Sequence, residues 1–197
     1  MRPDLDIVAS LVGRDRRVLD LGCGNGSLLE SLIEVQACSG LGVEVDTDDF
    51  HACIARGVPV TLGDLEDELP RFGAGEFDVA VLSLTLQAVR RPDQVLTEMK
   101  RVAPRLIVSL PNFAHWRLRT TLALKGRMPL TDALPWQWYD TPNIHLCSIA
   151  DFEALIGDLG LRVERRVLID ANGRRAAAIT TRAPNLLAER AVYSLTA

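Results

Sequence analysis

Apolar positions along the chain switch repeatedly between helical and strand spacing. Asp4–Val12 places Leu5, Val8 and Leu11 or Val12 on one side of a 3.6-residue helix. Arg17–Leu21 reads as a strand. From the Gly26 region to about Val35, Leu28, Leu29, Leu32 and Ile33 return to helical spacing. A second strand follows at Leu41–Val45, then a helix over Asp48–Arg56 with Gly57 placed to cap it. Val58–Leu62 predicts a third strand, where Pro59 favours a sheet edge or a strand start. Glu66–Gly75 reads as loop or short helix. Phe77–Ser83 is nearly all apolar, as suits a strand covered on both faces. Pro92 suits the first turn of a helix over Asp93–Val102, and a fifth strand follows at Arg105–Leu110. Toward the C-terminus come a helix at Ile149–Leu159, stopped by Gly160, and two strands at about Leu161–Ile169 and Arg175–Arg182. Asp170-Ala-Asn-Gly173 would join these two as an antiparallel hairpin. Alternating strands and helices predict an α/β fold: a doubly wound seven-stranded sheet with one reversed strand.

Composition adds bounds rather than detail. A length of 197 residues predicts one domain, and 48% hydrophobic with 24% charged residues is ordinary for a soluble globular protein. The net charge of −4 argues against nucleic-acid binding, which needs a basic face. Arg14, Arg16 and Arg17, the group from Arg117 to Arg127, and Arg162, Arg165 and Arg166 read as solvated surface. No apolar run approaches the roughly 18 residues of a candidate membrane span, and Met1-Arg-Pro-Asp-Leu-Asp lacks a signal core. Cysteines 23, 38, 53 and 147 form no Cys-x-x-Cys pair, so no zinc site is expected, and reduced thiols in a cytoplasm are the simplest reading.

The candidate chemistry begins where the first strand runs into Gly22-Cys-Gly-Asn-Gly26. Strand, glycine turn, helix and a second strand ending in an acid, Glu44, is the arrangement that holds an adenosine ribose. The glycines alone could form a tight turn with Asp20 capping backbone N–H groups. Acids recurring at three strand ends in order favour the ligand. A dinucleotide fingerprint needs a third glycine or alanine where Ser27 stands; Gly26 falls one residue early. Asp20 at the loop mouth is badly placed beside a pyrophosphate and well placed beside an ammonium. S-adenosylmethionine (SAM), which has a ribose, an adenine, an ammonium and no phosphate, fits better than a nicotinamide dinucleotide.

These residues resemble motif I of the class I SAM-dependent methyltransferases. The resemblance implies a Rossmann-like doubly wound seven-stranded sheet whose last two strands form an antiparallel hairpin. It implies a site for SAM, or for S-adenosylhomocysteine, at Asp20, Gly22, Gly24, Asn25, Gly26, Glu44, Asp64, Leu65 and Ser83. Glu44 matches the acid that binds the ribose hydroxyls, and Asp64 the acid that contacts the adenine amino group. Phe77–Ser83 looks like the family's fourth strand, whose end borders the substrate.

Residues 113–147 stand outside this pattern and hold all three tryptophans (116, 136, 138) and two of the three histidines (115, 145). Following the fifth strand, they suggest a lid, an acceptor pocket, a partner surface or a packing cap. Leu84-Thr-Leu-Gln-Ala-Val-Arg90, Pro111-Asn-Phe-Ala-His-Trp116, Gly126-Arg-Met-Pro129 and Leu134-Pro-Trp-Gln-Trp-Tyr-Asp-Thr-Pro-Asn-Ile-His-Leu-Cys147 resemble the MetW family of methionine biosynthesis. That resemblance spans about residues 14–170. It implies a cytoplasmic bacterial protein that acts with a homoserine O-acyltransferase, MetX. The expected organisation is one methyltransferase-like domain over 1–197, with the aromatic insert at about 113–147 and a short tail after about 183.

His115, His145 and Tyr139 are the candidate catalytic groups, because an oxygen or unactivated nitrogen acceptor benefits from a base. An isolated histidine is more often a hydrogen-bonded structural residue. The Asn-Pro-Pro-Tyr motif of amino methylation is absent, as is a hydrolase Gly-x-Ser-x-Gly elbow, so acyl transfer by this chain itself is not expected. Two readings remain open: a SAM-binding partner that supports or regulates homoserine acylation, and a methyltransferase of a small-molecule acceptor.

Overall fold

A computed structural model describes residues 3–131, 134–170 and 174–197. Its centre is a seven-stranded sheet, with β1 (Arg17–Leu21), β2 (Ser39–Glu44), β3 (Val60–Leu62), β4 (Val79–Ser83), β5 (Arg105–Pro111), β6 (Arg162–Ile169) and β7 (Arg190–Thr196). The strand order is β3-β2-β1-β4-β5-β7-β6. The five strands from β3 to β5 pair in parallel, and β7 lies antiparallel to both β5 and β6. β3 is a three-residue edge strand, consistent with the missing N–H of Pro59 just before it. All five residues of β4 are buried, as a strand with helices over both faces requires.

Side chains alternate across the sheet and feed two cores. On one face Val18, Val79, Val81, Ile107 and Val192 pack with Leu5, Val8 and Val12 of α1 (Pro3–Val12) and with Leu28, Leu29 and Leu32 of α2 (Ser27–Gln36). Cys53 of α3 (Thr47–Ala55) and Val58 close that layer. On the other face Leu19, Leu21, Leu82, Leu106 and Val108 meet Leu65 of α4 (Leu65–Glu68) and Leu96 and Met99 of α5 (Pro92–Val102). Phe152 and Ile156 of α7 (Ile149–Asp158) complete it. Between β5 and α7 lies α6 (Trp116–Lys125), a helix within the aromatic segment that the sequence pattern does not announce. A one-turn helix, α8 (Pro184–Leu187), precedes β7.

Local chemistry sets the ends of these elements. Asp46 caps α3 by accepting from the N–H groups of Asp48 and Asp49, at 2.9 and 3.0 Å. Ser148 and Asp151 form a reciprocal capping box that starts α7. Pro92 occupies the first turn of α5, where its missing donor costs nothing, and Lys100 and Arg101 occupy the last turn.

The expected strand at Arg175–Arg182 is not a strand: Ala178–Arg182 forms a 3₁₀ turn, and Arg175 makes only an isolated bridge to Ile169. Its place is taken by β7, built from residues that the pattern reads as a tail. The slot between β5 and β6 is covered on both faces. Arg190-Ala-Val-Tyr-Ser-Leu-Thr196 can bury five consecutive side chains there, whereas a segment carrying Arg174, Arg175 and Arg182 cannot. The last two strands therefore pair antiparallel across a 20-residue connection rather than a tight turn. Residues 171–173 of the expected turn lie outside the described residues. β6 takes the outer edge, where Arg162, Glu164, Arg165 and Arg166 are exposed and a bulge at Val163/Arg165 breaks the ladder. No helix among the described residues is long and apolar enough to cross a membrane.

Candidate functional site

The carboxyl ends of β1, β2 and β4 open into one cleft with two lobes, of about 770 and 780 Å³. Gly22, Asp49, Leu84 and Thr85 line both lobes. Asp20, Asn25 and Ser83 border the first; Glu44, Asp46, Asp64 and Leu65 border the second. This is the position, outside the strand ends of a doubly wound sheet, where such folds bind ligands.

The loop is pinned from below, since the N–H groups of Gly22 and Cys23 both donate to the carbonyl of Val43, at 2.8 and 3.2 Å. Gly22 has φ +70°, and a Cβ there would lie 2.7 Å from Thr85 Oγ1 and 2.8 Å from its Cγ2. Glycine is thus required for conformation and for the close approach of Thr85. Gly26, at φ +76°, starts α2 directly over Cys53, whose Sγ would lie 2.9 Å from an added Cβ. Cys53 donates to the carbonyl of Gly24 at 3.0 Å, and its sulfur is 3.8 Å from that of Cys23. Burial, then neighbouring Asp20, pushes the Cys23 thiol up, which keeps it protonated.

Glu44 is buried and held by three backbone donors. Oε1 accepts from Val45 and Asp46, both at 2.9 Å, and Oε2 accepts from Gly24 at 2.7 Å. The acid at the end of β2 therefore clamps the glycine loop as well as facing the cleft. Asp64 caps α4 through the N–H of Glu66 at 2.9 Å and pairs with Arg90 at 3.3 Å. Burial opposes ionisation of Glu66. The N–H groups of Arg90 and Arg91 and the Arg90 guanidinium outweigh it, so the Glu66 carboxyl sits below its usual range.

The cleft is predominantly acidic. Asp20, Glu44, Asp46, Asp49, Asp64 and Glu66 line it, and the cations Arg56 and Arg90 are each paired, Arg56 with Glu30 at 2.6 Å. Burial, then Glu44, Asp46 and Asp48, pushes the Asp49 carboxyl up. A field of this sign favours a cationic ligand and opposes a pyrophosphate.

At the end of β4, Ser83 Oγ lies 3.1 Å from Ser109 Oγ. Leu84 adopts a left-handed backbone (φ +57°), and its N–H donates to both the carbonyl and the hydroxyl of Ser109, each at 3.0 Å. A non-glycine residue held this way on the floor between the two lobes marks stored local strain of about 1–3 kcal/mol.

The aromatic segment is tied to this floor. The carbonyl of Gln87 accepts from the N–H groups of Ile144 and His145 at 2.9 and 3.0 Å, and Trp136 and Pro142 line the second lobe. Trp136 also lines a separate apolar cavity of about 310 Å³ within the segment. Of the candidate catalytic groups, none is among the residues lining the cleft. His115 is buried at the start of α6; its Nδ1 has no hydrogen-bond partner, and burial, then Arg117, lowers its pKa and keeps the imidazole neutral. His145 reaches the carbonyl of Arg90 at 3.4 Å. Tyr139 is exposed and packs edge-on against Trp138.

The structure adds Asp49, Leu84, Thr85 and Arg90 to the site. Gly22 signals that something approaches closely, but not that it is Thr85. Nothing in the local sequence distinguishes Leu84 or Asp49 from other loop and helix residues.

The sheet order and the reversed β7 define the class I SAM-dependent methyltransferase fold. A SAM-dependent methyltransferase from Archaeoglobus fulgidus superposes with a TM-score of 0.73 at 15% identity, covering 100% of this chain and 92% of that one. The fold also carries other chemistry: the cyclase SpnF superposes at 0.66 and 16% identity, covering 98% and 79%. A family model described as methionine biosynthesis protein MetW matches residues 2–195, and the chain belongs to that family. The match includes β7, beyond the 14–170 range read from motifs. A bifunctional methionine biosynthesis protein MetXA/MetW from Rhodopirellula baltica is 35% identical over 201 residues. That alignment covers 97% of this chain, which spans about a third (32%) of the relative's length.

Proposed function

We propose that this chain binds SAM in the acidic cleft and acts with a homoserine O-acyltransferase to support or regulate homoserine acylation. The observation that carries the partner is the fused relative, whose name joins MetXA and MetW in one polypeptide. Its two names imply two units that work side by side. The cleft chemistry supports the ligand. Asp20 and Asp49 suit the ammonium and sulfonium charges, Glu44 suits the ribose hydroxyls, and Asp64 with Leu65 suits the adenine edge and face. SAM carries an electrophilic methyl on a positive sulfur, which positioning alone can deliver to a good acceptor. Around it the acidic lining disfavours phosphate, Glu44 fixes the loop, and His115 is neutral and outside the residues that line the cleft.

Because SAM lies downstream of methionine, its binding is suited to report the pathway's output. Such feedback requires SAM to couple energetically to the partner's binding or rate. The test is co-purification with the acyltransferase, followed by its assay with and without SAM. Complex formation and a changed acylation rate are expected. Absence of both refutes the partner reading.

A second reading, a methyltransferase of a small acceptor, is favoured by the apolar cavity that shares Trp136 with the cleft. Turnover of SAM to S-adenosylhomocysteine with cell extract would support it. A nicotinamide dinucleotide is disfavoured by the acid lining, and NADH fluorescence should not change on mixing.

A further inference from the structure

The 113–147 segment carries an apolar groove beside the cleft, with Trp136 as the wall they share. Phe113, Leu118, Pro129 and Leu134 form its floor, and its rim holds Leu122, Met128, Trp136, Trp138 and Leu146, all about half exposed or more. Trp138 is 73% exposed and stacked only edge-on with Tyr139. Soluble monomers seldom leave large apolar side chains clustered in this way, and a concave cluster rich in tryptophan is the usual centre of a protein interface.

The charge around the groove has the opposite sign to the rest of the molecule. Residues 113–147 contain four basic and two acidic residues, in a chain of net charge −4. Arg119 lines the groove, and Lys125 and Arg127, both exposed, lie in the chain between its lining residues Leu122 and Met128. α6 itself does not separate apolar from polar faces, as a helix lying on a lipid surface would, and the groove is concave. A partner side chain, rather than a bilayer, fits that shape.

We propose that this groove is a docking site for a partner-protein segment that inserts a large apolar side chain and sets carboxylates against Arg119, Lys125 and Arg127. The inference rests on the partner reading above for the protein that supplies the segment, the homoserine O-acyltransferase. The apolar insert supplies affinity; the flanking carboxylates speed the encounter and set its orientation. The groove adjoins the cleft: the far end of the segment is hydrogen-bonded to Gln87, and Trp136 is shared with the second lobe of the cleft. A docked side chain would therefore sit one residue away from the proposed SAM site.

The test is capture of the acyltransferase by the full chain and by two variants, Trp138→Ala and the double charge reversal Lys125→Glu/Arg127→Glu. Both alter exposed positions, and unchanged thermal unfolding confirms that they fold. Trp138→Ala should weaken capture about 30-fold, as loss of an interfacial hot-spot tryptophan does. The charge reversal should weaken it about tenfold at low salt and less at high salt. If the unmodified chain captures the enzyme and both variants capture it equally well, the groove is refuted while the partner reading stands. If the unmodified chain captures nothing, the partner reading and the docking inference fall together. Dimerisation of the unmodified chain that the charge reversal abolishes would assign the groove to a second copy. Binding to anionic phosphatidylserine vesicles that Trp138→Ala abolishes would assign it to a membrane. Either result overturns the proposal.

Discussion

Replacing Gly22 by alanine tests the packing of the glycine loop against the β4 end. Two penalties combine at this residue. Forcing a Cβ into the left-handed region costs about 1–2 kcal/mol. The new Cβ also lies 2.7 and 2.8 Å from Thr85 Oγ1 and Cγ2, an overlap of the kind that costs about 1–3 kcal/mol in a packed site. The expected loss is roughly 2–5 kcal/mol, a large share of a typical domain's stability of about 5–15 kcal/mol. Gly13 is the internal control, because it has φ +85° but nothing within 4 Å of an added Cβ. Gly13→Ala should therefore show the conformational cost alone. Thr85→Ala removes both overlapping atoms and leaves Thr85 Cβ at 3.3 Å. In the double variant Gly22→Ala/Thr85→Ala the steric part should return and the backbone part should not. Urea unfolding of the parent and these four variants measures each contribution, and SAM calorimetry on the same set reports the cleft. If Gly22→Ala costs no more than Gly13→Ala, or Thr85→Ala recovers nothing, the close approach of Thr85 is not what demands glycine.

Three further outcomes follow from the same geometry. Glu44→Gln removes a charged acceptor that three backbone N–H groups share, and should weaken SAM binding by roughly 10–100-fold in calorimetry, the equivalent of a charged hydrogen bond of about 1.5–3 kcal/mol; unchanged affinity would place the ligand elsewhere. Asp49 has a raised pKa, and a cationic ligand favours its ionised form, so SAM affinity should be full above that pKa and fall as pH drops through it; Asp49→Asn should flatten the profile. Glu66 has a depressed pKa, so its contribution to stability is present above its unfolded value of about 4.3 and is lost as pH falls through the lower folded value. Arg90→Ala should shrink that acid-range loss in thermal unfolding curves measured across pH.

Much of the fold is legible because each parallel strand reports its own burial. Val79–Leu82 is apolar throughout, Pro92 and Gly57 mark helix ends, and the glycine loop sits where a strand meets a helix. The acids at the ends of β1, β2 and β3 do line one cleft, since parallel strands bring their carboxyl ends to one side. The local pattern misplaced the seventh strand because 175–182 and 190–196 both suit an extended chain. The choice was made by the slot, which accepts no arginine at its centre. His115 could be singled out by type but not by environment. Its burial depends on where α6 packs, and α6 itself has no strong periodicity.

By itself the sequence determined the order of βα units, the glycine loop and the run of acids at strand ends, because these depend on neighbours within a few residues. The tertiary structure decided that Glu44 clamps the loop, that Leu84 is held left-handed by Ser109, and that the aromatic segment hangs from Gln87 with Trp136 between cleft and groove. Each of those contacts joins residues 20 or more positions apart, and only the packing of the sheet brings them within hydrogen-bonding or van der Waals distance.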